Sequence, residues 1–230
     1  MSKEKKDQLT EDNFENLEEA LSRTEQYIEK NQKKLSIIAL AIIVVVGGFL
    51  SYNKFYLKPL EDSAQNQMFQ AQRYFEQDSF RLALDGDENY PGFLEIIEDY
   101  SATNAASLAH YYSGISYLRL GKYNEAIDYL KKYDADDFLI APLAQAAIGD
   151  AYFELGDAKE AASFYLKASD LNTNNFTTPI YLQKAGIAFE QAKEYQKALN
   201  AYEKIEKEFK QSAEARDIEK YITRAKAMIK

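Results

Sequence analysis

One stretch of the chain is apolar on every side. From Leu35 to Tyr52, eighteen consecutive residues carry no charge. As a helix this run would be about 27 Å long, at ~1.5 Å per residue, which matches the hydrocarbon core of a bilayer. A buried helix of a soluble protein normally has a polar stripe, and a cleaved signal peptide has a shorter apolar region followed by small residues. The pattern therefore predicts an uncleaved transmembrane helix at residues 35–57.

Charges on the two sides of this run predict its orientation. Two cations follow it, Lys54 and Lys58, and four precede it: Arg23, Lys30, Lys33 and Lys34. Cytoplasmic flanks carry the excess of Lys and Arg. Residues 1–34 are therefore predicted to be a cytoplasmic tail, and residues 58–230 are predicted to lie on the opposite side of the membrane.

The predicted tail has two parts. Residues 1–13 have mixed charge and are expected to be disordered. After them, Phe14, Leu17, Leu21 and Ile28 have helical spacing and predict a weak amphipathic helix. This helix is either a docking or dimerisation helix for a membrane partner or a solvated tail.

Outside the predicted membrane segment, one pattern occurs three times. Gly114, Gly149 and Gly186 stand 35 and 37 positions apart, and each is followed by an aromatic residue at +3 and an alanine at +12. Such a glycine lets two helices approach closely, and the ring fills the space beside it. Gly121 and Gly156 suit a helix end with positive φ, where the third copy has Lys193.

These offsets resemble the tetratricopeptide repeat. The resemblance implies an all-α solenoid with three clear repeats after the transmembrane helix. We predict a degenerate N-terminal repeat from the helices Ala64–Gln77 and Pro91–Tyr100, separated by an insertion at Ser79–Tyr90. Residues Ala213–Ile229 carry an apolar face opposite a basic one and predict a C-terminal capping helix.

Repeat arrays of this kind line a concave groove with their first helices, and the groove suits an extended peptide or a partner helix. Some family members grip an acidic C-terminus with Lys and Asn, but here Tyr111, Ile115 and Ala147 occupy such places. That activity is therefore not expected. For each aromatic groove candidate, packing between repeats is the alternative to partner contact. The groove candidates are Leu108, Tyr111, Ile115, Leu118, Arg119, Leu143, Ala146, Asp150, Phe153, Ile180, Gln183 and Ile187.

Composition excludes several kinds of site. The chain has no cysteine and a single histidine, His110, so disulfides, Cys-ligated zinc and multi-His metal sites are excluded. A net charge of −9 disfavours nucleic acid. Residues 85–89 have calcium-loop spacing, but Tyr90 and Ile96 replace the required Gly and Glu. We predict no catalytic residue, cofactor or metal.

The order of tail, membrane span and repeat array resembles the ancillary Sec translocon subunit family (YfgM-like) of bacterial inner membranes, and the resemblance implies that residues 58–230 lie in the periplasm. The resemblance implies association with the protein-export channel, exported chains and periplasmic chaperones. The expected function is that of a non-enzymatic, membrane-anchored scaffold. One alternative is a scaffold for envelope assembly or cell division. Another is a signalling or regulatory subunit that acts through the cytoplasmic tail.

Overall fold

The structure is a computed structural model that describes residues 3–135 and 137–229, with side chains described from Glu25 onwards. The chain divides into two compact units, the first ending at Tyr56 and the second beginning at Leu57.

The first unit is one helix, α1, from Lys3 to Tyr52. Residues 3–13 are helical, so the expectation of disorder there was wrong; Lys and Glu are good helix formers, and extending an existing helix adds one hydrogen bond per residue. Phe14, Leu17 and Leu21 lie outside the residues whose side chains are described. A π-helical turn, Asn53–Leu57, follows. The region from Glu25 contains a helix long and apolar enough to cross a membrane.

The second unit is built of helices in pairs. In chain order they are α2 (Lys58–Glu76), α3 (Phe80–Asp85), α4 (Phe93–Asp99), α5 (Asn104–Arg119), α6 (Tyr123–Leu130), α7 (Ile140–Glu154), α8 (Ala158–Leu171), α9 (Thr178–Gln191), α10 (Tyr195–Glu208) and α11 (Ile218–Met228). Within residues 3–135 and 137–229 no strand occurs, and Gly86 and Pro91 form an isolated β-bridge. The predicted all-α solenoid is confirmed.

The recurring glycines lie where two helices of one pair touch. A Cβ atom on Gly186 in α9 would lie 2.2 Å from Cε1 of Tyr202 in α10. On Gly149 in α7 it would lie 2.7 Å from Cε1 of Tyr165 in α8. Both rings are buried, so the glycine fixes how closely the two helices approach. The last pair is covered by α11, whose Ile218 and Ile222 join the same core.

A left-handed residue ends the first helix of each pair. Its φ is 56° at Asp78, 74° at Gly121, 84° at Gly156 and 61° at Lys193. In all four turns the amide of the next residue donates to the carbonyl five positions earlier, at 2.8–2.9 Å. This is the Schellman arrangement, which satisfies carbonyl groups at a helix end. The third clear repeat therefore keeps the turn although it has Lys193 in place of glycine.

The same turn corrects the predicted boundaries of the first repeat. Asp78 stands 43 positions before Gly121, and Ala71 stands 43 positions before Gly114. Helix α3 begins at Phe80, in register with the second helices of the later repeats. The insertion is therefore shorter than Ser79–Tyr90 and lies between α3 and α4. Alanine and aspartate in place of the two glycines hid this register in the sequence.

Candidate functional site

The first helices of the repeats share one face, and a cleft of about 380 Å³ opens on it. An adjoining space of about 220 Å³ continues it towards Ile187. We name both together the central cleft. Five predicted groove residues meet there: Leu118, Arg119, Asp150, Phe153 and Ile187. They come from α5, α7 and α9, so the cleft crosses three successive repeats.

An ion pair lies in the middle of the central cleft. Lys184 Nζ donates to Asp150 Oδ1 at 2.7 Å and to Oδ2 at 3.0 Å. The Tyr165 hydroxyl donates to the same Oδ1 at 2.7 Å. The side chains of Lys184 and Asp150 keep 40% and 36% of their surface exposed. A ligand in the cleft could therefore still reach both charges.

The position of Asp150 follows from the packing of its neighbour. Gly149 lets the Tyr165 ring lie directly against α7, and the hydroxyl of that ring then reaches the next residue, Asp150. Burial raises the pKa of Tyr165, and the charge of Asp150 raises it further. The hydroxyl therefore stays protonated at neutral pH and remains a hydrogen-bond donor.

Apolar and cationic groups surround this pair. Leu118, Phe153 and Ile187 supply apolar surface. The exposed Arg119 guanidinium lies 5.6 Å from the centroid of the Phe80 ring, and its Nη2 is 3.8 Å from Asp78 Oδ1. Apolar surface combined with both signs of charge suits a peptide segment, whose side chains need pockets and whose polar groups need partners.

Other predicted groove residues lie away from the central cleft. Leu108 lines a separate cleft of about 380 Å³, together with Met68 and Gln72 of α2. Leu143 and Ile180 are exposed near the starts of α7 and α9. Gln183 is half-buried in α9. These positions extend the same face of first helices without joining the ion pair.

Three predicted groove residues are engaged in packing. The Tyr111 ring lies 5.9 Å from that of Tyr133, and burial raises the pKa of Tyr111 to about 12. Ile115 packs against the core between α6 and α7. Ala146 is 5% exposed and clusters with Ala168 and Tyr181. We correct Ala146 from a groove residue to a packing residue, because so little of its surface can meet a partner.

Sequence reasoning missed four residues that line the central cleft: Tyr123, Glu154, Tyr165 and Lys184. A usable signal for Lys184 is present, because Asp150 and Lys184 stand 34 positions apart, close to one repeat length. The same separation joins two other pairs, Asp170 with Lys204 and Glu190 with Arg224. Opposite charges one repeat apart therefore indicate contacts between neighbouring repeats.

The single histidine is part of a packed surface. The His110 ring lies 5.8 Å from that of Tyr129. Burial lowers the pKa of His110, and the charge of Lys132 lowers it further. In the part of the chain with described side chains, no group of three or more His, Asp or Glu residues could hold a metal ion.

Comparisons with known proteins agree with this architecture. The profile of the tetratricopeptide repeat family matches residues 108–135 and 181–212. A solved structure described as a kinesin light chain from Podosopora anserina, with nearly identical TPR-like repeats, aligns with a TM-score of 0.54 at 12% identity. The alignment covers 73% of this chain and 87% of that chain. A search of curated proteins finds no match. The second unit therefore has a tetratricopeptide-type fold, and repeats of this type indicate protein partners in general.

Proposed function

We propose that this chain is a non-enzymatic scaffold that is anchored in a membrane and binds a protein partner in the central cleft. The observation that carries the proposal is the cleft itself, with Leu118, Phe153 and Ile187 around the accessible pair Asp150–Lys184. No residue in this arrangement has the environment of an activated nucleophile. Binding is the chemistry that the arrangement supports best.

The pair suits the polar groups of a bound segment. Neither Asp150 nor Lys184 is fully buried, so a ligand can contact them without removing a buried charge from its partner. Asp150 can accept from a backbone amide and Lys184 can donate to a backbone carbonyl. Phe153 and Leu118 offer surface for apolar side chains between these contacts.

The proposed anchor is the run within α1 that carries no charge. Its large side chains, among them Ile43, Val45 and Phe49, are exposed along the helix. Continuous apolar surface of this kind is stable in lipid, where a helix also satisfies its own backbone hydrogen bonds. We propose a tail at residues 1–34, a span at 35–57 and a repeat domain at 58–230. The flanking cations support a cytoplasmic tail and a periplasmic repeat domain.

The proposed partner class is the protein-export machinery. The resemblance to the ancillary Sec translocon subunit family supports this choice, with exported chains and periplasmic chaperones as ligands. Anchoring would hold the cleft at a high effective concentration near other membrane proteins, so that weak contacts suffice.

Site-specific crosslinking in membranes tests the proposal. A photo-crosslinking amino acid in place of Phe153 should capture an export component or chaperone from the full chain in its native membrane. The matched control carries the same group at Lys167, which is exposed on α8, a second helix. Equal capture from both positions would contradict a role for the central cleft. Capture of septal or outer-membrane proteins would favour envelope assembly or division instead.

One observation favours the signalling alternative. Helix α1 continues without a break from the proposed tail into the proposed span, and a continuous helix can transmit a rotation or shift. Deletion of residues 1–29 separates the two functions. Capture from position 153 should persist in both cases. A scaffold would also keep its function in the cell, whereas a signalling subunit would lose that function.

A further inference from the structure

The first helices of the second unit all begin at one edge. The Glu61 carboxylate, in the first turn of α2, accepts from the amides of Asn104 and Ala105 at the start of α5, at 2.7 and 3.2 Å. Ser107 Oγ in α5 accepts from the amide of Asp134, in the segment before α7. These contacts place the starts of α2 and α5 and the segment before α7 side by side.

The edge continues to the segment before α9. Asn172 Nδ2 donates to the carbonyl of Phe138 at 2.8 Å, which joins the segment before α9 to the segment before α7. Four starting points along the unit therefore lie on one contiguous edge. Leu57 is the first residue of the unit, so the chain enters the unit at this edge.

Large apolar side chains point outward from this edge. The exposed fraction is 73% for Phe138, 71% for Leu139, 51% for Leu171 and 84% for Phe176. We call these four residues the apolar edge. At the opposite ends of the helices, Leu120 and Leu155 in the turns are 42% and 44% exposed. Phe138 and Phe176, the two most exposed aromatic residues described in the second unit, therefore lie on the side where the chain enters, whereas Phe69 within α2 and Tyr90 before α4 are 61% and 51% exposed elsewhere.

The exposure is built into ordered loops. Asn174 Oδ1 accepts from the amides of Phe176 and Thr177, each at 2.8 Å. Asp137 Oδ1 accepts from the amide of Leu139 at 2.8 Å, and its other oxygen accepts from the Tyr133 hydroxyl. Hydrogen bonds order the backbone of both loops, and the apolar side chains remain exposed to solvent. Apolar groups held outward in this way are typical of a binding surface.

We infer that the apolar edge rests on the surface of the bilayer, with Phe138 and Phe176 in the headgroup region. The inference rests on the proposed transmembrane span. Only residues 53–57 separate the apolar run from α2, and five residues reach at most about 18 Å. The start of α2 is therefore close to the membrane, and Phe and Leu side chains are favoured at the boundary between headgroups and acyl chains.

Tryptophan fluorescence tests the inference, because the natural chain contains no tryptophan. Three single variants of the full chain, Phe176→Trp, Leu155→Trp and Phe49→Trp, are reconstituted into phosphatidylcholine vesicles with plain or brominated acyl chains. A neutral lipid is used so that quenching reports apolar contact and not charge. Phe176→Trp should lose emission to bromine and shift to shorter wavelength. Leu155→Trp, on the opposite edge, should do neither.

Phe49→Trp separates the two proposals. Loss of its emission to bromine reports an inserted span. If Phe49→Trp is quenched and Phe176→Trp is not, the apolar edge does not contact lipid, although the anchor stands. If Phe49→Trp is unquenched, the anchor itself is wrong. A shift to shorter wavelength in Phe176→Trp without bromine quenching would mean that a protein, such as a second copy, covers the edge, and it would overturn the inference.

Discussion

Lys193 occupies a backbone conformation that its side chain disfavours, so Lys193→Gly should stabilise the protein. Its φ is 61°, and its amide donates to the carbonyl of Glu190 at 3.0 Å in the turn before α10. The left-handed conformation costs an L residue about 1–2 kcal/mol. Glycine removes that cost but loses about 0.5–1 kcal/mol through the greater freedom of the unfolded chain. The expected net gain is about 0.5–1 kcal/mol of unfolding free energy.

Thermal and urea unfolding of the full chain in detergent measure this gain. For a domain of this size, about 1 kcal/mol raises the Tm by roughly 2–4 °C. Two control variants should change the unfolding free energy in the opposite direction. Gly156→Ala should lose about 0.5–1 kcal/mol, and the loss is purely a backbone effect, because a Cβ there would meet nothing within 4 Å. Lys167→Gly, in the interior of α8, should also lose about 1 kcal/mol, since glycine is a poor helix former.

If Lys193→Gly lowered the Tm while both controls behaved as expected, the third clear repeat would not share the left-handed turn of the others. The register that places Ile187 and Lys184 in the central cleft depends on that turn, so the site would need revision as well.

Three further predictions concern packing, pH and the ion pair. Gly186→Ala should lower the unfolding free energy by about 1–3 kcal/mol because its Cβ would overlap the buried Tyr202 ring, and adding Tyr202→Leu should restore part of the loss in urea unfolding. Burial raises the pKa of Asp137, but hydrogen bonds from the Tyr133 hydroxyl and from backbone amides outweigh it and leave that pKa below its ordinary value. The charged form of Asp137 therefore stabilises the fold above about pH 4, and the advantage of the wild type over Asp137→Asn should shrink as the pH falls below that value in an acid-unfolding series. Lys184→Met should change the unfolding free energy by less than about 1 kcal/mol, measured in the same way, because Lys184 and its partner are both more than one-third exposed.

The repeats could be predicted because their key contacts are local in sequence. Gly149 meets Tyr165 and Gly186 meets Tyr202, in each case sixteen positions further along the chain. Because the two contacting residues have the same separation in each repeat, the same residue types recur at the same spacing in the sequence. The first repeat was misread because Ala71 and Asp78 replace glycine at the two marked positions, so its register became visible only through the positive φ of Asp78.

The sequence predicted the apolar residues that line the central cleft, but only one of the two residues of its ion pair. Leu118, Phe153 and Ile187 follow from helical spacing, which shows which face of a helix a residue shares. Lys184 belongs to the next repeat, and its approach to Asp150 depends on how neighbouring repeats stack. Spacing within one repeat carries no information on that stacking, although the recurring separation of 34 positions between opposite charges does.

Among the three clear repeats, only the second places a carboxylate in the central cleft next to its packing glycine. The residue after the packing glycine is Asp150 in the second clear repeat, but Ile115 and Ile187 in its neighbours. Because the Tyr165 ring packs on Gly149, its hydroxyl reaches Asp150 and fixes the carboxylate that Lys184 binds. The contact that holds α7 against α8 therefore also orients the polar group of the cleft. A change at Gly149 would thus disturb binding and stability together, whereas a change at Lys184 would act mainly on binding.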